Sequence, residues 1–197
     1  MSHAIINDEA LDILFRKARS QNKWLSKPVT PQMLLAIYDL MRWGPTTANS
    51  QPGRILFLLS QESKERLRPH LDEGNVEKTM TAPAVAIIAY DLKFASHLPK
   101  LFPHQPDAIN WFTDPAHAAR TAFRNGTLQG AYFMLAARAI GLDCGPMSGF
   151  NNAGVDKEFF PDGKVKSNFL CGIGYGDPSG IFPRHPRLTF DEACKIL

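Results

Sequence analysis

The sequence predicts an α+β chain, α/β-like in character, built as one sheet with helices on both faces. Three observations carry this. Apolar runs of strand length occur at Ile55–Leu59, Ala84–Tyr90 and Asn168–Ile173. Helical patterns separate these runs and outnumber them. The longest helix opens at Asp114-Pro115, ends near Gly141, and is apolar nearly all round from Leu128 to Ile140. A helix of that kind is buried on every side, either centrally or at a subunit interface.

In chain order, the first helix runs from Asp8 to about Arg19, with Leu11, Leu14, Phe15 and Ala18 on one face. The second has Thr30 as N-cap and Pro31 at its first position. It turns Met33, Leu34, Ile37, Leu40 and Met41 to one side and stops at Gly44-Pro45. Ile55–Leu59 and Ala84–Tyr90 read as buried strands. Gln61 to about His70 and Val76–Met80 read as short helices between them. Leu92–Thr113 is irregular, with three prolines and the aromatics Phe94, Phe102, Trp111 and Phe112. It is either a lid or a flap packed on the body or on a partner. Gly126 and Gly130, four apart on the long helix, permit close approach of a neighbouring element. Asn168–Ile173 leads into GIGYGDPSG and a proline-rich tail.

The 197 residues make a single domain, 1–197, with ordinary apolar (44%) and charged (21%) content. No apolar run is long enough to span a bilayer. The N-terminal MSHAIINDEALD lacks a basic region followed by an apolar one, so no secretory signal is expected. Three cysteines, Cys144, Cys171 and Cys194, suit neither a zinc site nor a disulfide framework, and a cytoplasmic location is expected. A net charge of +3 without a basic run argues against nucleic acid.

Chemistry-bearing motifs are sparse. Gly172, Gly174 and Gly176 follow a strand, but Asp177-Pro178-Ser179-Gly180 is turn chemistry. A dinucleotide fingerprint would open a helix there instead. The run reads as a strand end approached closely by another backbone. No phosphate loop and no serine-hydrolase elbow is present. The six histidines do not share a metal-binding spacing, so no metal is expected. Cys144, beside Gly145-Pro146, reads as a buried structural thiol. The densest polar stretch is WGPTTANSQ, Trp43–Gln51, closed by Pro52. It packs hydroxyls and amides into a short loop with almost no charge. Such a loop suits a flat, neutral ligand rich in acceptors better than a metal or a nucleic-acid backbone.

Several ordered motifs then point one way. Pro45–Pro52 reads P-T-T-A-N-S-Q-P, matching P-[ST]-[ST]-x-N-x-Q-P. KERLRP stands at Lys64–Pro69, LFPH at Leu101–His104, AFRN at Ala122–Asn125, GPMSGF at Gly145–Phe150 and IGYGD at Ile173–Asp177. On these motifs, which run over nearly the whole chain, the sequence resembles the nitroreductase family of FMN flavoproteins. Within it, the resemblance is strongest to the malonic semialdehyde reductases of pyrimidine catabolism.

The resemblance implies a nitroreductase-type fold: a central, mostly antiparallel sheet flanked by helices, with a long buried central helix. It also implies a domain-swapped homodimer with FMN at each of two subunit interfaces. Pro45, Thr46, Thr47 and Asn49 would reach a flavin held mainly by the partner chain. Asn75 and Lys78 would contact the ring, and Met147, Ser148 and Gly149 would lie along it. Arg184 and Arg187 would hold the phosphate, with Arg19, Gln21 and Lys23. Gln21 stands where the family's phosphate motif has serine.

The implied activity is an FMN-dependent NAD(P)H oxidoreductase, with ping-pong hydride transfer through flavin N5 reducing malonic semialdehyde to 3-hydroxypropanoate. Because a flavin carries the hydride itself, no catalytic dyad is required. A small carboxylate substrate wants a cation near the ring, and His104 and Arg124 are the candidates. Two alternatives stand beside this reading. One is a broad nitro- or quinone reductase; the other is a non-catalytic flavin carrier or sensor.

Overall fold

The computed structural model describes residues 3–197; residues 1 and 2 lie outside the described residues. Its centre is a four-stranded antiparallel sheet in the order β1-β2-β4-β3. The strands are β1 (Gly53–Leu58), β2 (Ala84–Asp91), β3 (Asp143–Met147) and β4 (Val165–Gly174). This bears out the predicted fold class and adds β3, which the sequence presents as a turn. DCGPM carries a glycine and a proline, both poor in strand interiors. Pro146 is tolerated because β3 is an edge strand, where a missing N–H breaks no ladder bond. Ile55–Leu59, expected to be fully buried, is instead half-buried: β1 is the opposite edge.

β2 fixes the layers. All but one of its residues are buried, and alternate side chains serve two separate cores. Ala84, Ala86 and Ile88 face α2 (Pro31–Met41) and α6 (Pro115–Ala139), where Ile37, Met41, Phe133 and Ala137 join them. Val85 and Ile87 face Leu67, Ala82, Met147, Val155 and Leu170. That second layer is built by α3 (Gln61–Leu67), α4 (Glu73–Met80) and α7 (Asn152–Phe159); α7 is a short helix the sequence reading missed. Lys64 bolts the layer together. Its buried ammonium donates to the carbonyls of Met80 at 3.0 Å and Ala82 at 2.9 Å, at the C-terminal end of α4. It thereby satisfies carbonyls that a helix end leaves unpaired.

The first helix differs from expectation. The α-helix α1 covers only Asp8–Leu11, and a π-turn follows over Asp12–Arg16, with Ile13 and Phe15 about half exposed. The Leu92–Thr113 excursion resolves into short helical turns, including α5 (Leu98–Leu101). Phe94, Leu98, Ala108 and Phe112 pack on Ala118 and Ala122 of α6 as a third core. It is a packed flap.

The 25 residues of α6 span roughly 37 Å at 1.5 Å per residue. Asp114 caps the helix by accepting from the backbone N–H groups of Ala116 and His117. The second half is not buried all round within the chain. Gln129, Gly130, Phe133, Ala136 and Ala137 are buried, whereas Leu128 is 41% exposed. Gly126 and Gly130 do permit close approach, to the sheet. A Cβ on Gly126 would lie 2.8 Å from the Tyr90 Cβ, and one on Gly130 would lie 2.6 Å from the Phe169 ring.

Gly126→Ala is therefore expected to destabilise by about 1–3 kcal/mol through overpacking, offset in part by the ~1 kcal/mol helix-propensity gain. Gly130→Ala should cost less, because a ring tip can move where a Cβ cannot. Urea denaturation of both variants measures the ranking.

Candidate functional site

Two polar regions form, and the fold keeps them apart. The first is built where the N-terminal segment runs along the β3 edge. The Gln21 N–H donates to Cys144 O at 3.0 Å, Leu25 N–H to Tyr175 O at 2.8 Å, and Asp177 N–H to Lys23 O at 3.0 Å. This ladder brings residues 19–25 against the turn after β4. Arg19 then donates to the Phe182 carbonyl, and Arg184 to the carbonyls of Arg16 at 2.7 Å and Ala18 at 3.0 Å. Arg19, Arg138, Arg184, Arg187 and His185 line one pocket of about 380 Å³, with no carboxylate among its lining residues. Among the described residues no carboxylate lies within ion-pair distance of these four guanidiniums, an arrangement that suits an anion.

A second pocket, about 540 Å³, adjoins the first through the shared residues Asn22 and Phe182. Lys23, Gly74, Glu77, Lys78, Ser179 and Gly180 complete it. Among the described residues no carboxylate lies within ion-pair distance of the Lys78 ammonium, and burial holds its pKa below the usual lysine value. Its backbone carbonyl accepts from Trp24 Nε1 at 2.9 Å, which fixes this turn of α4 against the glycine-rich strand ends. A Cβ on Gly172 would lie 2.6 Å from the Trp24 ring, the close approach read from the glycine run. At the other end of α4, Asn75 Nδ2 donates to Gly149 O at 2.7 Å, while beside Lys78 the Thr79 hydroxyl donates to the Met147 sulfur at 3.2 Å. A Cβ on Gly149 would meet Asn75 Nδ2 at 2.5 Å. The chain thus brings Asn75, Lys78 and the Met147-Ser148-Gly149 turn onto one helix. Gln21 turns inward: it is 5% exposed, packs on Gly176, lines neither pocket, and leaves Oε1 without a partner.

The second polar region is the 45–51 loop. Ala48, Asn49 and Gln51 all adopt left-handed φ, between 41° and 48°. Such conformations are costly outside glycine and persist only where surrounding bonds over-determine them. Those bonds are present. Thr46 Oγ1 accepts from the Gln51 N–H at 3.1 Å, and Gln51 Nε2 donates to Asn49 Oδ1 at 2.8 Å. Asn49 Nδ2 donates to Leu101 O at 2.8 Å, and the Tyr132 hydroxyl to Pro45 O at 3.0 Å. The Thr47 N–H donates to Asn125 Oδ1 at 2.8 Å. His104 is exposed and packs on the Phe102 ring at 4.0 Å, on the same flap as Leu101. Arg124 is exposed on α6 beside Asn125.

Distances along the fold separate the regions. Gly53, just after the loop, pairs with Tyr90, whereas α4 leads into Ala84 at the other end of β2. The seven steps from Ala84 to Asp91 span roughly 23 Å. On α6, Asn125 touches the loop and Arg138 lines the anion pocket, thirteen residues or roughly 20 Å away. The loop lies on the α6 face of the sheet and α4 on the other. One chain cannot put Thr47 and Lys78 on the same small ligand.

Sequence reasoning missed Asn125, Gln129 and Arg138. For the first two a signal existed. Thr121, Asn125 and Gln129 recur every four residues on the buried stripe of α6, all at most 6% exposed. Polar groups on a buried stripe must be answering something; Gln129 Oε1 accepts from Gly53 N–H at 2.6 Å.

Comparison with known proteins identifies the fold and the family. The nitroreductase family model matches residues 15–176, most of the chain. A Stenotrophomonas maltophilia protein is 57% identical over 197 residues, covering 100% of both chains. A Cupriavidus pinatubonensis protein is 54% identical over 192 residues, 96% of this chain and 98% of the relative. Both carry the provisional name NADH dehydrogenase/NAD(P)H nitroreductase. Among solved structures, a Bacillus subtilis nitroreductase superposes with a TM-score of 0.88 at 22% identity, covering 97% of this chain and all of the other. An Exiguobacterium sibiricum nitroreductase, solved in complex with FMN, gives 0.81 at 20% identity with full coverage of both. The chain belongs to the nitroreductase family.

Burial of Lys78 has a stability consequence. A lysine whose folded pKa lies below 10.5 penalises the folded state wherever both states are charged. The penalty fades as pH rises from the folded pKa toward 10.5. Lys78→Met in flavin-free protein is therefore expected to raise the urea midpoint at pH 7, with the gain shrinking as pH climbs toward 10.5.

Proposed function

We propose that this protein is an FMN-dependent NAD(P)H oxidoreductase that works as a homodimer, each flavin held between two subunits. The observation that carries the reading is the acid-free arginine pocket opening onto the Lys78 pocket. The residues present fit the cofactor. Arg19, Arg184 and Arg187 would hold the phosphate, with Lys23 beyond them. Asn75, Lys78 and the Met147-Ser148-Gly149 turn would flank the ring. Lys78, lacking a counter-charge, would stabilise negative charge developing on the reduced ring. When bound, the flavin supplies two-electron hydride chemistry, accepting from NAD(P)H and delivering to an acceptor. The chain's own task is orientation and the exclusion of water. The provisional names of the relatives, and the FMN in the E. sibiricum neighbour, accord with this.

The separation of the two polar regions supports the homodimer. Pro45, Thr46, Thr47 and Asn49 would act on the partner's flavin. Other features support the pairing. β1 leaves one edge open beside an apolar groove of about 760 Å³ lined by Leu34, Leu35, Tyr38, Ile55 and Phe57. The C-terminal arm carries Leu188, Phe190 and Ile196, which are 69%, 61% and 83% exposed. An apolar arm and an open strand edge on one chain suit exchange between two copies.

The acceptor assigned is malonic semialdehyde, on the resemblance of the ordered motifs, with His104 and Arg124 as the cations for its carboxylate. Both are exposed, on the flap and the helix whose Leu101 and Asn125 hold the 45–51 loop. The expected location is cytoplasmic, where the two buried thiols stay reduced.

Purified protein should be yellow and should bleach on anaerobic addition of NADH or NADPH. Failure to bleach would favour a carrier or sensor. Turnover of malonic semialdehyde should exceed that of nitroaromatics; the reverse would point to a broad nitroreductase. Arg184→Ala should weaken FMN binding roughly tenfold or more and leave riboflavin binding nearly unchanged, as read by flavin fluorescence. Thr47→Val/Asn49→Ala and Lys78→Ala should each impair turnover. Mixing the two variants should recover activity, because a heterodimer reassembles one intact site; a strictly additive mixture would overturn the shared site.

A further inference from the structure

We infer that Asn125 is a positioning residue that sets the hydrogen-bond polarity of the 45–51 loop, so that the loop offers donors to an oxygen acceptor on the cofactor. The inference rests on the flavoprotein reading above.

Asn125 is 1% exposed, and all its bonds lie within the chain. Its amide orientation is fixed by chemistry. The atom 2.8 Å from the Thr47 N–H has to be the oxygen, because a backbone N–H only donates. The atom 2.9 Å from the Thr121 carbonyl has to be the nitrogen, because a carbonyl only accepts. The second amide proton then has one destination, Thr47 Oγ1 at 3.2 Å. The Thr47 hydroxyl is therefore an acceptor toward the protein, and its own proton points away from Asn125.

Thr46 is held in the same sense. Its Oγ1 accepts from the Gln51 backbone N–H at 3.1 Å, which again leaves the hydroxyl proton free. Among the described residues neither proton has an acceptor. Asn49, by contrast, is engaged at both ends, by Leu101 O and by Gln51 Nε2. It props the loop, and Thr46 and Thr47 present the outward donors. Two adjacent hydroxyls whose protons are turned away from the protein are placed to donate to a ring carbonyl or phosphate oxygen. The left-handed backbone at Ala48, Asn49 and Gln51 is held by these same bonds.

The test is a thermodynamic cycle on the full-length dimer, titrated with FMN and with riboflavin by flavin fluorescence. Thr47→Val should weaken FMN binding roughly five- to tenfold, the scale of one hydrogen bond. Asn125→Asp replaces the amide donor with a second acceptor, turns the Thr47 proton inward, and should weaken binding at least as much. In the Asn125→Asp background Thr47→Val should cost nothing further. If Asn125→Asp does not fold, Asn125→Ala leaves the Thr47 proton unoriented, and Thr47→Val should then cost less than it does beside Asn125. An equal loss for FMN and riboflavin places the acceptor off the phosphate; a loss for FMN alone places it on the phosphate, and both support the inference. Equal cost of Thr47→Val in both backgrounds would overturn it, since Asn125 would then be only structural, as would no effect of Thr47→Val at all. A protein that takes up no flavin sinks the underlying reading and this inference together.

Discussion

Everything in this chain is arranged around the dryness of β2. With helices packed on both faces, the strand has no room for an unpaired polar group, since each would cost the full penalty of desolvation. Polar chemistry is therefore displaced to the strand's ends. At one end the N-terminal segment and the arm after β4 gather arginines; at the other, a tight loop gathers hydroxyls. The same packing that gives the fold its core dictates that the two polar regions lie about a strand length apart. Their separation follows from where a sheet can tolerate water.

Much of this was legible in the sequence because it rests on local rules. Thr30-Pro31 and Asp114-Pro115 mark helix starts, and both threonine and aspartate do cap. AVAIIAY can be little else than a central strand. Other elements were hidden because tertiary context overrode propensity. DCGPM is a strand only because it lies at an edge with the 20–24 segment beside it. The Leu128–Ile140 pattern overstated burial because α6 packs on the sheet along one stripe and leaves Leu128 exposed within the chain. For the site, residue types and order were readable, but the inward turn of Gln21 and the service of Asn125 to Thr47 were not. Both depend on segments more than seventy residues away in sequence: Gly176 for the former, Asn125 itself for the latter.

The loop and the helix beneath it show how local strain and distant order are linked. Three left-handed residues in four would unwind the loop if they stood alone. Buried side chains of α6 hold it instead: Asn125 at Thr47 and Gln129 at Gly53. The polar stripe Thr121–Asn125–Gln129 is thus the loop's template, cut into the apolar face of a helix whose other duty is to pack the sheet. Lys64 plays the corresponding part on the opposite face, where its ammonium closes the end of the helix that carries Lys78.

Cys144 and Cys171 lie buried on neighbouring strands, and the adjacent Cys144 thiol, together with burial, pushes the Cys171 thiol well up. Both sulfurs are shut off from alkylation because they lie fully buried beneath α2 and α6, among Ile37, Met41, Phe133 and Ala137. They become open only when that layer lifts from the sheet. The pair is a chemical clock for that motion: the rate at which an added electrophile consumes these two thiols counts how often the core beneath α6 opens.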